Sequence, residues 1–146
     1  MLTNRVIEEV CIDLGQPSDN AQVVYTTRRM AAQAGFDDVQ QFLIATAASE
    51  LSTNIIRYAQ KGTVTLRILS NDKAEGIEIT AIDQGAGISD IDKAMQEHFS
   101  TGDGLGLGLP SVKRIMDEFD IHSRSEDGTV IVAKKWRYRT DGWDQD

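Results

Sequence analysis

Cysteine is almost absent from the 146-residue chain: Cys11 is the single one, so no disulfide can form within it. This thiol lies in an alternating apolar stretch, and the expectation is a small core residue rather than a nucleophile. Histidine is nearly as scarce. His98 and His122 are far apart and neither stands in a Cys/His cluster, which argues against a zinc site built by the protein. His122 alternates with apolar neighbours and reads as a structural strand residue.

Positive charge is also short, with 15 Lys and Arg against 23 Asp and Glu and a net charge of −8. That balance speaks against nucleic acid or an anionic membrane as the main partner, because phosphate surfaces are met by a positive footprint. No run approaches the roughly 18 apolar residues of a membrane span. The opening "MLTNRVIEEV" lacks the basic start and apolar core of a signal peptide, so the expected compartment is the cytoplasm.

Against these shortages stands an ordinary globular composition, with 40% hydrophobic and 26% charged residues. No linker or repeat interrupts it. One domain is expected over residues 1–136, followed by a loose polar tail, "RYRTDGWDQD", over 137–146.

β-branched residues in "RVIEEVCIDL" predict a first strand at an edge. "QPSD" breaks it and offers Ser18 or Asp19 as a helix cap. "NAQVVYTTRRMAAQAG" predicts a helix closed by Gly35, and "FDDVQQFLIATAASELSTNIIRYAQKG" a longer one running to Gly62. "TVTLRILS" and "IEITAID" form an expected hairpin around "NDKAEG". A short helix over "SDIDKAMQEH", a helix over "LPSVKRIMDEF" and a hairpin from "DIHSRS" to "VIVAKKW" complete the chain. Two helices between strands that pair as hairpins predict an α+β, two-layer sandwich with a mostly antiparallel sheet and helices on one face.

In the long helix, Ile44, Ala48, Leu51, Ile55, Tyr58 and Ala59 make an apolar stripe for the sheet. Beside it fall Glu50, Asn54 and Arg57, at i, i+4 and i+7. They are either a solvated face or a general base followed one turn later by a metal-binding amide oxygen. Asp83 ends a strand and is followed by Gly85 and Gly87. That is either an Asx turn or a carboxylate that accepts from a ligand amine, with glycines admitting a flat ring. Finally, "STGDGLGLGLPSVKRIMDEF" carries Gly102, Gly104, Gly106 and Gly108 just before a helix. It lacks the Gly-Lys-Ser/Thr ending of a P-loop, and Leu109 stands where a dinucleotide fingerprint needs glycine. Free N–H groups leading into a helix suit an anion such as phosphate.

Taken in order, "ELSTN", "DQGAG", "GLGLGL" and "DGT" resemble the N, G1 and G2 boxes and closing Gly-Thr of the GHKL ATP-binding family. Within it, the stretch from Asp83 to Ile121 and the Lys135–Trp136 pair resemble the switch serine/threonine kinases of bacterial stressosome signalling, a likeness running from the first strand to Trp136. Leu107 stands where those kinases carry a smaller residue, although leucine is common there in histidine kinases.

This resemblance implies roles for individual residues. Glu50 is then the general base for a Ser or Thr hydroxyl, and Asn54 holds the Mg²⁺ that bridges the ATP phosphates. Asp83 accepts from the adenine amine, while Gly85 and Gly87 let the ring approach. Thr129 supports the adenine side, and Arg57 stands near phosphate. Gly104, Leu105, Gly106, Leu107 and Gly108 form a lid over the phosphates, with Ser100 and Thr101 at its entrance. The implied substrates are STAS-domain proteins, with a downstream phosphatase or cyclase-type regulator as a further partner. Anti-sigma factors with serine kinase activity, and nucleotide-dependent binding modules, share the boxes and stay open at this point.

Overall fold

The computed structural model describes residues 3–85, 108–124 and 127–140. Strand β1 (Arg5–Leu14) is followed by helices α1 (Asp19–Gln33) and α2 (Asp38–Asn54), and α2 runs on into a π-helical turn at Ile55–Ala59. The hairpin β2 (Gly62–Ser70) and β3 (Ala74–Asp83) comes next. Helix α3 (Leu109–Ile115) then leads into the hairpin β4 (Glu118–Arg124) and β5 (Gly128–Tyr138). The five strands lie in the order β1-β2-β3-β5-β4, and every pairing is antiparallel.

Parity along the strands makes the two layers. Ile12, Val64, Leu66, Ile68, Ile77, Ile79, Ala81, Ile131 and Ala133 all fall on one sheet face and are buried. Val23 and Met30 of α1, Ile44, Ala48 and Leu51 of α2, and Leu109 and Val112 of α3 complete that core. Each large side chain closed off in this way is worth about 1.5–3 kcal/mol. The expected α+β sandwich with an antiparallel sheet is thus the observed architecture.

The other sheet face is polar. A row of alternating charge, Glu9–Arg67–Glu78–Lys134–Glu118, crosses all five strands in register. Arg67 bridges Glu9 and Glu78, and Lys134 reaches Glu78 and Glu118 at 3.9 and 3.8 Å. Cys11 belongs to this exposed face and not to the core. It is adjacent to Ile12 and therefore points the opposite way.

Three element ends depart from the sequence reading. The long helix does not continue as α-helix to Gly62. It switches to π geometry at Ile55, where the Gln60 N–H donates to the Ile55 carbonyl at 2.7 Å, and Gln60 stops it with φ of 68°. The change leaves Tyr58 38% exposed rather than in the apolar stripe. Helix α3 ends at Ile115, short of Phe119, because the next residues join the sheet. There the Asp117 N–H donates to the Lys134 carbonyl, and its carboxylate accepts from the Trp136 N–H. Strand β5 runs past Trp136 to Tyr138, and Arg139 bonds the carbonyls of Asn71 and Ala74, Ser70 Oγ and the Glu75 carboxylate. Arg137 similarly joins Glu75 and the Ala34 carbonyl. The first residues of the polar stretch are therefore tied to the fold.

The helix caps follow local chemistry. Ser18 occupies the cap of α1 without a side-chain bond, while Asp19 holds the preceding turn through the N–H groups of Gly15 and Gln16. Asp37 caps α2 by accepting from the Gln40 N–H at 2.8 Å.

Candidate functional site

Two groups of sequence-selected residues come together at the end of the sheet and along α2. The first is a row across the strand ends. Asp83 closes β3, paired on one side with Gly62 and on the other with Thr129, and Thr129 pairs onward with Ser123. Cross-strand partners share a face, so Asp83, Thr129 and Ser123 point to the helix side, at the rim of the core. Asp83 Oδ1 accepts the Gly85 N–H at 2.9 Å. The Asx turn is therefore present, and it fixes a half-buried carboxylate whose second oxygen is not used by that turn.

Glycines make the row possible by close approach. Gly128, at φ of 86°, backs directly onto the Asp83 carbonyl and Gln84, so a side chain there would collide with backbone. A Cβ on Gly85 would lie 2.8 Å from Ala59 Cβ, which locks the turn after Asp83 against the π turn. A Cβ on Gly62 would likewise lie 2.8 Å from Ile55 Cγ2. The end of the long helix is thereby seated on the strand ends that carry Asp83.

The second group lies one to two turns earlier on α2. Glu50 is half-buried, and its carboxylate packs against Gly108, which caps α3 with φ of 70°. A Cβ on Gly108 would stand 2.6 Å from Glu50 Oε2. Asn54 follows four residues later as the last residue of α2, roughly 6 Å along the axis. Arg57 sits in the π turn and is exposed; the wider turn rotates it away from the line with Glu50 and Asn54 that a regular helix would give. Gly87, Ser100, Thr101, Gly104, Leu105, Gly106 and Leu107 lie outside the described residues.

A groove of about 310 Å³ between α1 and α2 ends at Glu50 and is lined by Val24, Arg28, Phe42, Ala45, Thr46 and Ser49. Its walls are held by Asn20 of α1, which bonds Ser49 and Ser52 of α2. The arrangement provides a carboxylate at the end of an open groove, an amide one turn on, and a carboxylate beside a hydroxyl at the strand ends. Such a set suits a base next to an acceptor, an oxygen donor to a hard cation, and acceptors for an amino group.

Sequence reasoning did not single out Ser123, and it placed Ala59 only in the apolar stripe. Ser123 Oγ lies 2.8 Å from Thr129 Oγ1. The signal for it was the register of the last hairpin, which a turn motif alone does not specify. For Ala59 the signal was its small size beside a glycine turn, which only the tertiary contact reveals.

The chain is similar to several known proteins. The profile described as "Histidine kinase-like ATPase domain" matches residues 15–135. Serine/threonine-protein kinase RsbT of Bacillus subtilis (strain 168) is 43% identical over 129 residues, which are 88% of this chain and 97% of the relative. The anti-sigma F factor of Caldanaerobacter subterraneus subsp. tengcongensis is 36% identical over 99 residues, covering 64% of this chain and 68% of that one. Among solved structures, a chain of the SiaB–SiaC complex from Pseudomonas aeruginosa superposes with a TM-score of 0.55 over 91% of both chains, at 13% identity, a likeness of fold.

Proposed function

This chain belongs to the histidine kinase-like ATPase family, and we propose that it transfers the γ-phosphoryl group of ATP to a serine or threonine of a STAS-domain partner. It is a GHKL-type protein serine/threonine kinase similar to RsbT. We place it in the cytoplasm, in a bacterial stress-signalling module of the partner-switching kind, with a phosphatase or cyclase-type regulator downstream.

The observation that carries the reading is the placement of Glu50. Its carboxylate lies at the mouth of the α1/α2 groove and against Gly108, the residue that ends the glycine-rich segment. An acceptor hydroxyl entering along the groove reaches Glu50, which takes its proton as the oxygen attacks phosphorus. Asn54, through its amide oxygen, is the residue that would hold Mg²⁺ beside the phosphates. Asp83 and Thr129, paired at the ends of β3 and β5, would hold the adenine as acceptors. Held there, magnesium would supply charge neutralisation on the transferring phosphoryl group, while the protein's residues supply positioning. The lid residues Ser100, Thr101, Gly104, Leu105, Gly106 and Leu107, and Gly87 beside the base, keep the roles that the resemblance gives them.

The test is phosphotransfer. Purified protein is mixed with Mg-ATP and STAS proteins encoded beside it, and each product is weighed. A gain of one phosphate on a Ser or Thr, lost with Glu50→Ala, is the expected result. ATP binding without transfer to any STAS protein, together with capture of a sigma factor, would instead favour the anti-sigma reading that the similarity to anti-sigma F factors keeps in view.

A further inference from the structure

The groove that leads to Glu50 has a second charged end. Helices α1 and α2 are joined by the short connection 34–37 and run antiparallel, and Asn20 of α1 meets Ser49 and Ser52 of α2. The same alignment, carried two turns along both helices, sets Arg28 level with Phe42, and both residues line the groove. From Phe42 to Glu50 the helix rises about 12 Å. Arg28 is the one basic residue in the lining. It is exposed and has no ion pair or hydrogen bond among the described residues, whereas its neighbour Arg29 is paired with Glu8. The hydroxyls of the lining are bonded within the protein: Thr46 donates to the Phe42 carbonyl at 2.9 Å, and Ser49 donates to Asn20 Oδ1 at 3.3 Å. Phe42 is 60% exposed, so an apolar ring lies open at the level of an unpaired guanidinium.

We propose that Arg28 and Phe42 select the protein that is phosphorylated: Arg28 pairs with a carboxylate of the partner about 12 Å from the acceptor hydroxyl, and Phe42 is covered by an apolar side chain next to that carboxylate. The inference rests on the reading of Glu50 as the base at the end of this groove, and it adds the chemistry of the partner's surface. The planar guanidinium matches a carboxylate in two hydrogen bonds, and the aromatic ring supplies area beside it. In an extended acceptor segment the distance corresponds to about three or four residues. Charge makes the choice sharper. The chain carries a net charge of −8, so an acidic partner is repelled by most of its surface and attracted at Arg28. A partner with its acidic group elsewhere gains nothing there, and one with a basic group at that distance is rejected.

The experiment separates docking from chemistry. Steady-state transfer from Mg-ATP to the STAS protein phosphorylated in the assay above is measured for the full chain, for Arg28→Ala and for Arg28→Glu. Arg28→Ala is expected to raise KM for the STAS protein about fivefold to tenfold, and Arg28→Glu by more than tenfold, with kcat within about twofold of wild type. Phe42→Ala is expected to raise KM in the same sense. The Asp and Glu residues of the STAS protein that surround its phosphorylated residue are then replaced by Lys one at a time. One of these replacements is expected to raise KM with the wild-type kinase and to be rescued by Arg28→Glu.

Unchanged KM in both Arg28 variants overturns the inference and leaves the kinase reading intact. A fall in kcat at unchanged KM also overturns it, because Arg28 would then act on the transfer step and not on docking. A raised KM that no Lys replacement on the STAS protein rescues removes the acidic partner group and overturns it as well. A wild-type chain that transfers phosphate to no STAS protein overturns the inference together with the reading on which it rests.

Discussion

Gly108 and Glu50 are in contact: a methyl group on Gly108 would lie 2.6 Å from Oε2 and 2.7 Å from Cδ of the glutamate, so the carboxylate would have to move. The backbone there is left-handed, with φ of 70°, so the side chain would be strained even without the collision. Gly108→Ala is expected to cost about 1–2 kcal/mol from the backbone alone. It should also push Glu50 off its position and slow transfer about a hundredfold, the scale of a misplacement of 1 Å. Urea unfolding and single-turnover phosphotransfer read the two effects separately. A normal rate in a destabilised protein would show that Gly108 does not place Glu50.

Glu50→Ala removes the proposed base and leaves Asp83 and Thr129 in place. Transfer is expected to fall by about 10²–10⁴, while ATP affinity stays near the wild-type value. Calorimetry and the phosphotransfer assay, run on one preparation, check both halves. Transfer at the normal rate would assign the proton to another group.

Asp83→Asn keeps the shape of the strand end and the acceptor for the Gly85 N–H, but exchanges a carboxylate for an amide. Losing a charge-assisted hydrogen bond is expected to weaken ATP binding about tenfold to a hundredfold. Equal affinity in the variant would remove Asp83 from the adenine side.

Arg139 ties the end of β5 to the β2–β3 turn through two backbone carbonyls, Ser70 and Glu75. Arg139→Ala leaves part-buried acceptors without that donor and is expected to cost about 1–3 kcal/mol. A chain stopped after Trp136 should lose at least as much. Urea midpoints that match wild type would mean the stretch after Trp136 is dispensable.

The guanidinium of Arg29, hydrogen-bonded to Glu8, holds the Glu8 carboxyl below its usual range. A lowered folded value gives stability that is present above the ordinary value near 4.5 and lost as pH falls through the lowered one. Both partners lie in solvent, which screens the pair and keeps its contribution small. From pH 7 to pH 3 the melting temperature of wild type is expected to drop slightly more than that of Glu8→Gln. Parallel curves would show that the pair between β1 and α1 contributes nothing.

Much of the architecture was legible in the sequence because one parity or one period dominates each element. Val64, Leu66 and Ile68, and Ile77, Ile79 and Ala81, alternate without exception, and all six are buried. Cys11 shows the same rule read one residue out of step, since Ile12 and Leu14 take the core face and leave it exposed. The π turn was not legible. Ile55–Ala59 has no residue that disfavours α-helix, and the wider turn arises where Ile55 and Ala59 meet Gly62 and Gly85. The early end of α3 was hidden too, because "MDEF" has helical spacing and only the partner strand β5 decides otherwise. At the site, the boxes pointed to Glu50, Asn54, Asp83 and Thr129 because glycine and charge stand out there. Ser123 is an unremarkable serine until the register sets it beside Thr129.

Strand β5 is inserted between β3 and β4, and β4 has no other sheet neighbour. Until β5 arrives, β3 ends at an open edge and Asp83 has no Thr129 beside it. A chain without β5 would thus hold only half of the row across the strand ends. The row that pairs Asp83 with Thr129 is therefore complete only with the last strand in place, which makes the C-terminal hairpin part of the proposed adenine end and not an appendage to it.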